Sequence, residues 1–125
     1  MKCLIVKKQW LDLIFSGLKI WEMRATRTSV RGTIGLIEAG TGTVVGTAEL
    51  VDCGSPLDEK QAAIYRAHHC VDDLELLKKW KYPWRLRAAK RFDEPVPYRH
   101  PPGAMIWVEV DDGIFSQKEM KKTEV

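Results

Sequence analysis

A chain of 125 residues with 45% hydrophobic and 30% charged residues has the composition of an ordinary globular domain, long enough to bury one core without disulfides or a structural metal. The formal net charge of +3 is too small to name a partner class by itself. No apolar run approaches the ~20 residues of a membrane helix, and Cys3-Leu4-Ile5-Val6 is too short for a signal-peptide core and runs straight into Lys7 and Lys8, so a cytoplasmic protein with no membrane partner is expected.

Residues 2–6 read as a first strand and 9–16 as a short buried helix, with Trp10, Leu11, Leu13, Ile14 and Phe15 as its apolar positions and Gly17 as the left-handed residue that ends it. A second strand over 18–24 runs into the polar loop Thr26-Arg27-Thr28-Ser29. A third strand over 32–38 and a fourth over 43–52 are joined by the turn Ala39-Gly40-Thr41-Gly42. Gly54-Ser55-Pro56 then breaks the sheet, and Asp58 caps a helix in which Ile64, Ala67 and Val71 share a face. Asp72 or Asp73 caps a second helical piece that ends near Trp80, with Leu74 and Leu77 inward, and Tyr82-Pro83 stops it. Residues 84–92 return to a strand, the Pro-rich 93–102 is a loop, and 104–110 is the last strand, with Ile106 and Val108 on one face and Met105 and Trp107 on the other. The domain is expected over 1–112, with a frayed polar tail over 113–125. Short strands with helices inserted at two points give an α+β fold: a mixed β-barrel, closed or nearly closed and flanked by short helices, since closure removes exposed strand edges. A monomer is favoured.

Cys3, Cys53 and Cys70 are odd in number and widely spaced, which suggests neither a disulfide framework nor a zinc ribbon. In His68-His69-Cys70, consecutive helical residues point about 100° apart and cannot all reach one ion. No metal and no cofactor are expected.

The chemistry concentrates in Gly17-Leu18-Lys19-Ile20-Trp21-Glu22-Met23-Arg24. Lys19 and Arg24 can hold phosphate or other acceptors, Trp21 offers a face to a base, and Glu22 is a proton acceptor if burial and Lys19 tune it. The competing reading is a strand whose charges are solvated or paired with one another. In a regular strand, positions 19 and 22 face opposite sides, so both line one cleft only if Lys19 precedes the regular strand or a bulge intervenes. A second candidate is the segment Lys78–Arg91, whose Lys78, Lys79, Lys81, Arg85, Arg87, Lys90 and Arg91 have no acidic residue among them and alternate with Trp80, Tyr82 and Trp84. That is the pattern of single-stranded nucleic-acid binding, and equally of a solvated basic face whose tryptophans are core. Lys7 and Lys8 at the end of the first strand, Trp10 on the helix, Arg31 before Gly32, and Tyr98 and His100 in the proline-ordered loop are further candidate ligand contacts; the competing readings are a helix staple for Trp10, a solvated strand-start arginine for Arg31, and a loop histidine without a role for His100, which is otherwise the natural proton donor.

The Gly-x-Lys-x-x-Glu-x-Arg element, followed by Arg31–Ile37, Val44–Asp52 and Gly103–Val108, resembles an ASCH domain, the small relative of the PUA fold, over roughly residues 2–110. The resemblance implies the same barrel, with a cleft between it and the helix that precedes the charged strand, and an RNA-related role. Two activities are attached to the group: cleavage of RNA, and amide hydrolysis of acetylated cytidine nucleosides. The amidohydrolase branch resembles this chain at Gly17, Lys19 and Arg24 but carries a threonine nucleophile where Glu22 stands. The expectation is therefore binding of RNA or a modified nucleoside by Lys19, Glu22 and Arg24. The alternatives are a hydrolase acting on RNA or an acylated nucleoside, with Glu22 as base and Lys19 as electrostatic partner, and a protein-interaction module. For the hydrolase, Glu22→Gln is expected to lower activity while the fold survives.

Overall fold

A computed structural model describes residues 1–115 of the chain. Strands β1 (Lys2–Val6), β2 (Trp21–Arg24), β3 (Gly32–Glu38), β4 (Thr43–Cys53), β5 (Tyr82–Pro97) and β6 (Trp107–Glu109) form one sheet in the order β2-β5-β4-β3-β1-β6. Only β1 and β3 run parallel; the other neighbours are antiparallel. Helix α1 (Lys8–Phe15) follows β1, and α2 (Glu59–Ile64), α3 (Arg66–His69) and α4 (Leu74–Lys79) fill the connection from β4 to β5.

Irregularities coil this sheet. The register shifts between Leu36 and Ile37 in the β3–β4 pair and at Val44/Gly46, Thr47/Glu49 and Leu50/Asp52 in the β4–β5 pair; each such bulge bends its strand and adds twist. Ala88 takes a positive φ of 52° within this stretch. Gly46 lies where β4 passes under α1, and a Cβ there would stand 2.3 Å from the Lys90 carbonyl oxygen and 2.7 Å from the Phe15 ring. The result is a half-barrel with β2 and β6 as its edges. Its ends approach closely enough for Arg24 on β2 to donate to the Ile5 carbonyl on β1 at 2.8 Å.

Alternation along β1 sends Leu4 and Val6 into the main core with Leu11, Ile14, Ile34, Leu36 and Trp84, and Cys3 into a second cluster with Ile37, Phe92, Val108 and Phe115. A third cluster, Trp21, Met23, Ala62, Val71 and Leu77, lies under the short helices. No helix among the described residues is long and apolar enough to cross a membrane.

Several elements differ from their sequence reading. Asp58 does cap α2, in a reciprocal capping box with Gln61, but the helix breaks at Tyr65 and again at Cys70, which adopts φ 59°. The breaks shift the phase: Ala62, His69 and Val71 are buried, while Ile64 and Ala67 are exposed. Leu77 points inward, whereas Leu74 is half exposed. Strand β5 begins at Tyr82 and continues through Pro95 to Pro97. β2 pairs only with Tyr82–Arg85, so the distal part of β5 is an edge on that side, where proline removes no ladder donor. β6 is shorter than expected, leaving Met105 and Ile106 exposed. At the far end a 3₁₀ turn (Asp112–Ile114) brings Phe115 onto Phe92, with centroids 5.7 Å apart. The packed chain thus reaches past 112; the rest of the tail lies outside the described residues.

Candidate functional site: a charged cleft between the half-barrel and its first helix

Gly17 ends α1 with φ 84°, a conformation that costs a side-chain-bearing residue far more. The Lys19 amide then donates back to the Leu13 carbonyl at 3.0 Å, so residues 18–20 are irregular and β2 starts only at Trp21. That irregular entry frees Lys19 from the strand alternation. Lys19 and Glu22 line one cleft of about 390 Å³ together with Trp10, Arg24, Trp80 and Met105.

The charged groups interlock. Lys19 is 1% exposed; its Nζ donates to the His69 carbonyl oxygen, stands 3.7 Å from Glu22 Oε1 and lies 4.8 Å from the Trp10 ring centroid. Burial lowers its pKa, against the opposing pull of the Glu22 charge. Glu22 Oε2 accepts from Arg24 Nε at 3.0 Å and Nη2 at 2.7 Å, and Arg24 lies 5.7 Å from the Trp84 ring. Glu22 Oε1 faces the Lys19 ammonium, and the Glu22 side chain lines the cleft. Two cations against one carboxylate, with exposed Lys7 also lining the cleft, leave it net positive.

His69 fixes the carbonyl that holds Lys19. Its Nδ1 accepts the Val71 amide at 2.9 Å and its Nε2 donates to the Ala62 carbonyl at 2.7 Å, which defines a neutral ring with the proton on Nε2. Burial lowers its pKa.

The other sequence candidates fall elsewhere. Lys8 is exposed and pairs with Asp12 at 2.6 Å; its neighbour Lys7 lines the cleft instead. Trp21 points to the opposite face of β2, against Tyr65 and His68, with Arg85 stacked on it at 5.0 Å. Arg31 donates to the Thr28 and Val30 carbonyls on the surface. Tyr98 and His100 bond to each other at 2.7 Å outside the cleft lining.

The basic segment divides. Trp84 is core, 1% exposed, and Trp80 lines the cleft. Lys78, Arg85, Arg87 and Arg91 pair with Glu75, Asp52, Glu49 and Asp12. Lys79 and Lys81 are exposed, and Lys81 borders a separate groove between α2 and α4. Cleft residues that sequence reasoning missed are Ile5, Met23, Ala39, Val71 and Met105. Met105 carried one signal: a large apolar side chain in a Pro-Gly loop.

With this geometry established, comparisons with known proteins place the chain. The family model described as the ASCH domain matches residues 4–96. Among solved structures, the chain is similar to ASCH from Zymomonas mobilis, at 14% identity and a TM-score of 0.67 over 97% of this chain and 91% of that one. A tyrosine-to-phenylalanine variant of the Zymomonas mobilis protein gives 14% identity and a TM-score of 0.66, covering 97% of this chain and 94% of that one. A serine-to-alanine variant gives 15% and 0.65, covering 97% and 92%. At these identities the likeness is one of fold. Among curated proteins none matches the chain.

Proposed function

This chain belongs to the ASCH domain family, and from that membership together with the chemistry of the cleft we propose that it binds a base of RNA, or a modified nucleoside, in the cleft bearing Lys19, Glu22 and Arg24. PUA-like folds are often proposed to bind RNA, but fold alone does not fix function. The observation that carries the reading is that Glu22, whose Oε2 takes both Arg24 bonds, lines one cleft with the Lys19 ammonium and the Trp10 and Trp80 side chains. A carboxylate there suits the N–H edge of a neutral heterocycle, while the Lys19 ammonium beside it suits a ring carbonyl or nitrogen. Indole walls suit the faces of the ring. Phosphates of a longer strand would remain outside, near Lys7, which gives RNA binding its salt dependence.

The test is a thermal-shift and calorimetric panel of the four ribonucleosides, acetylcytidine and a short single-stranded RNA, since a ligand of the folded state raises the melting temperature by mass action. Saturable binding lost in Trp10→Ala supports the reading; binding unchanged in Trp10→Ala overturns it. Glu22 Oε1, 3.7 Å from Lys19, favours one further reading, hydrolysis with Glu22 as general base and Lys19 stabilising the developing anion. Turnover of RNA that disappears in Glu22→Asp and Glu22→Gln distinguishes it from binding alone.

A further inference from the structure

We propose that Met105 is the lip that covers a bound ring in this cleft and that His100, which does not line the cleft, is the positioning residue that holds Met105 there. The inference rests on the nucleobase reading above and adds to it the residue that sets ligand residence. Met105 is 82% exposed yet lines the cleft that Trp10 and Trp80 also line. A thioether is flexible, polarizable and favourable against an aromatic face, and solvent gives it no such contact.

The loop that carries it is closed by side chains. Tyr98 is tied to the hairpin turn by its amide, which donates to the Gly42 carbonyl at 3.1 Å, and its ring packs on the second core cluster. His100 Nε2 donates to the Ala104 carbonyl at 3.0 Å, so its Nδ1 is the acceptor for the Tyr98 hydroxyl at 2.7 Å. Burial raises the Tyr98 pKa and keeps that hydroxyl a donor. The imidazole therefore bridges the two ends of the loop and stops one residue short of Met105. On the other side of Met105, the Ile106 carbonyl accepts the Ile5 amide at 2.9 Å, and the Ile5 carbonyl accepts Arg24 at 2.8 Å. Met105 is thus pinned between the His100 clasp and the rung that holds the cleft's own guanidinium.

The experiment separates clasp from lip. Hydrogen exchange of the loop amides is measured in the unliganded protein and in His100→Ala, Tyr98→Phe and His100→Gln, the last supplying an acceptor oxygen and a donor nitrogen in place of the ring. Exchange of Ala104 and Met105 is expected to rise by about tenfold in the first two and to return close to the starting rate in His100→Gln. Affinity is then measured for adenosine, guanosine, cytidine and uridine. Met105→Ala and His100→Ala are each expected to weaken the binding nucleoside by about 2–10-fold, through faster dissociation, with the double variant little weaker than Met105→Ala. Unchanged loop exchange in His100→Ala overturns the clasp. Nucleoside binding that Met105→Ala leaves intact overturns the lip while the cleft reading stands. Absence of binding by the unmodified protein to these four nucleosides, to acetylcytidine and to short single-stranded RNA refutes the cleft reading and the lip with it, and leaves the clasp to be judged by exchange.

Discussion

Glu22→Gln is the most informative single change, because it keeps the shape of the side chain and removes only the anion between Lys19 and Arg24. On the hydrolase reading of the sequence, this substitution is expected to spare the fold. Burial reverses that expectation: Lys19 and Glu22 are 1% and 4% exposed. The carboxylate accepts two charge-assisted bonds from Arg24, at 2.7 and 3.0 Å, each worth about 1.5–3 kcal/mol against about 1 for the neutral bonds an amide can keep. Removing one partner of a buried charge pair costs about 3–5 kcal/mol because the other charge stays buried. Retention of the amide puts the loss at the lower end, about 3 kcal/mol, a large share of a typical 5–15 kcal/mol total. At roughly 3–5 °C per kcal/mol for a domain of this size, the melting temperature should fall by about 10–15 °C at neutral pH, followed by circular dichroism with urea titration as the second measure. Adding Lys19→Met to Glu22→Gln should recover part of the loss, since the second change removes the stranded cation. A loss below about 1 kcal/mol in the single variant, or strict additivity in the double, would refute the argument that the three charges form one buried unit.

Three further outcomes follow from the same geometry. Burial holds the His69 imidazole below its usual value of 6.5, so as pH falls through 6.5 the unfolded chain takes up its proton first; stability should drop until the folded-state pKa is passed and then level off. Urea titrations between pH 7.5 and 5 should show a shallower acid loss in His69→Gln, and identical pH profiles would count against it. Gly46→Ala should destabilise by about 3 kcal/mol, the top of the overpacking range, because the added carbon meets the Lys90 carbonyl at 2.3 Å and the Phe15 ring at 2.7 Å; a neutral result in denaturant titration would contradict that packing. Acetylcytidine should not be turned over beyond background, because position 22 carries a carboxylate and no hydroxyl nucleophile; chromatographic detection of cytidine and acetate at enzymatic rates would show the premise to be wrong.

What the sequence made legible was local. Alternation and breakers located β1, β3 and β4 because those strands are bounded by turn residues, and Gly17 marked the irregular entry that lets Lys19 and Glu22 share a cleft. What escaped it depended on partners distant along the chain. The basic segment looked uncompensated because the acids that neutralise Arg85, Arg87 and Arg91, namely Asp52, Glu49 and Asp12, come from β4 and α1. Lys7 and Lys8 are indistinguishable by composition, yet the extended backbone at Lys7, which precedes the first turn of α1, lets it line the cleft while Lys8 turns to Asp12. The helical segment between β4 and β5 defeated periodicity for a similar reason: the break at Cys70, whose φ of 59° a non-glycine residue rarely adopts, resets the phase that Ile64 and Ala67 were read from. Pro95 and Pro97 read as loop because the sequence does not reveal that β2 is too short to pair with that end of β5.

The central claim is that a base enters between indole walls at Glu22, and the tryptophan side chains report on it directly. The chain has five tryptophans. Trp10 and Trp80 line the cleft, Trp21 lies on the far face of β2 beneath Arg85, and Trp107 stacks on Trp84 at 5.8 Å. Nitrogen-15 NMR of the indole N–H signals during titration with the nucleoside of highest affinity should shift Trp10 and Trp80 together, saturably, and leave Trp21 and Trp107 in place. Shifts confined to Trp21, or saturable binding that leaves Trp10 and Trp80 unmoved, would contradict the claim that the ligand sits in this cleft.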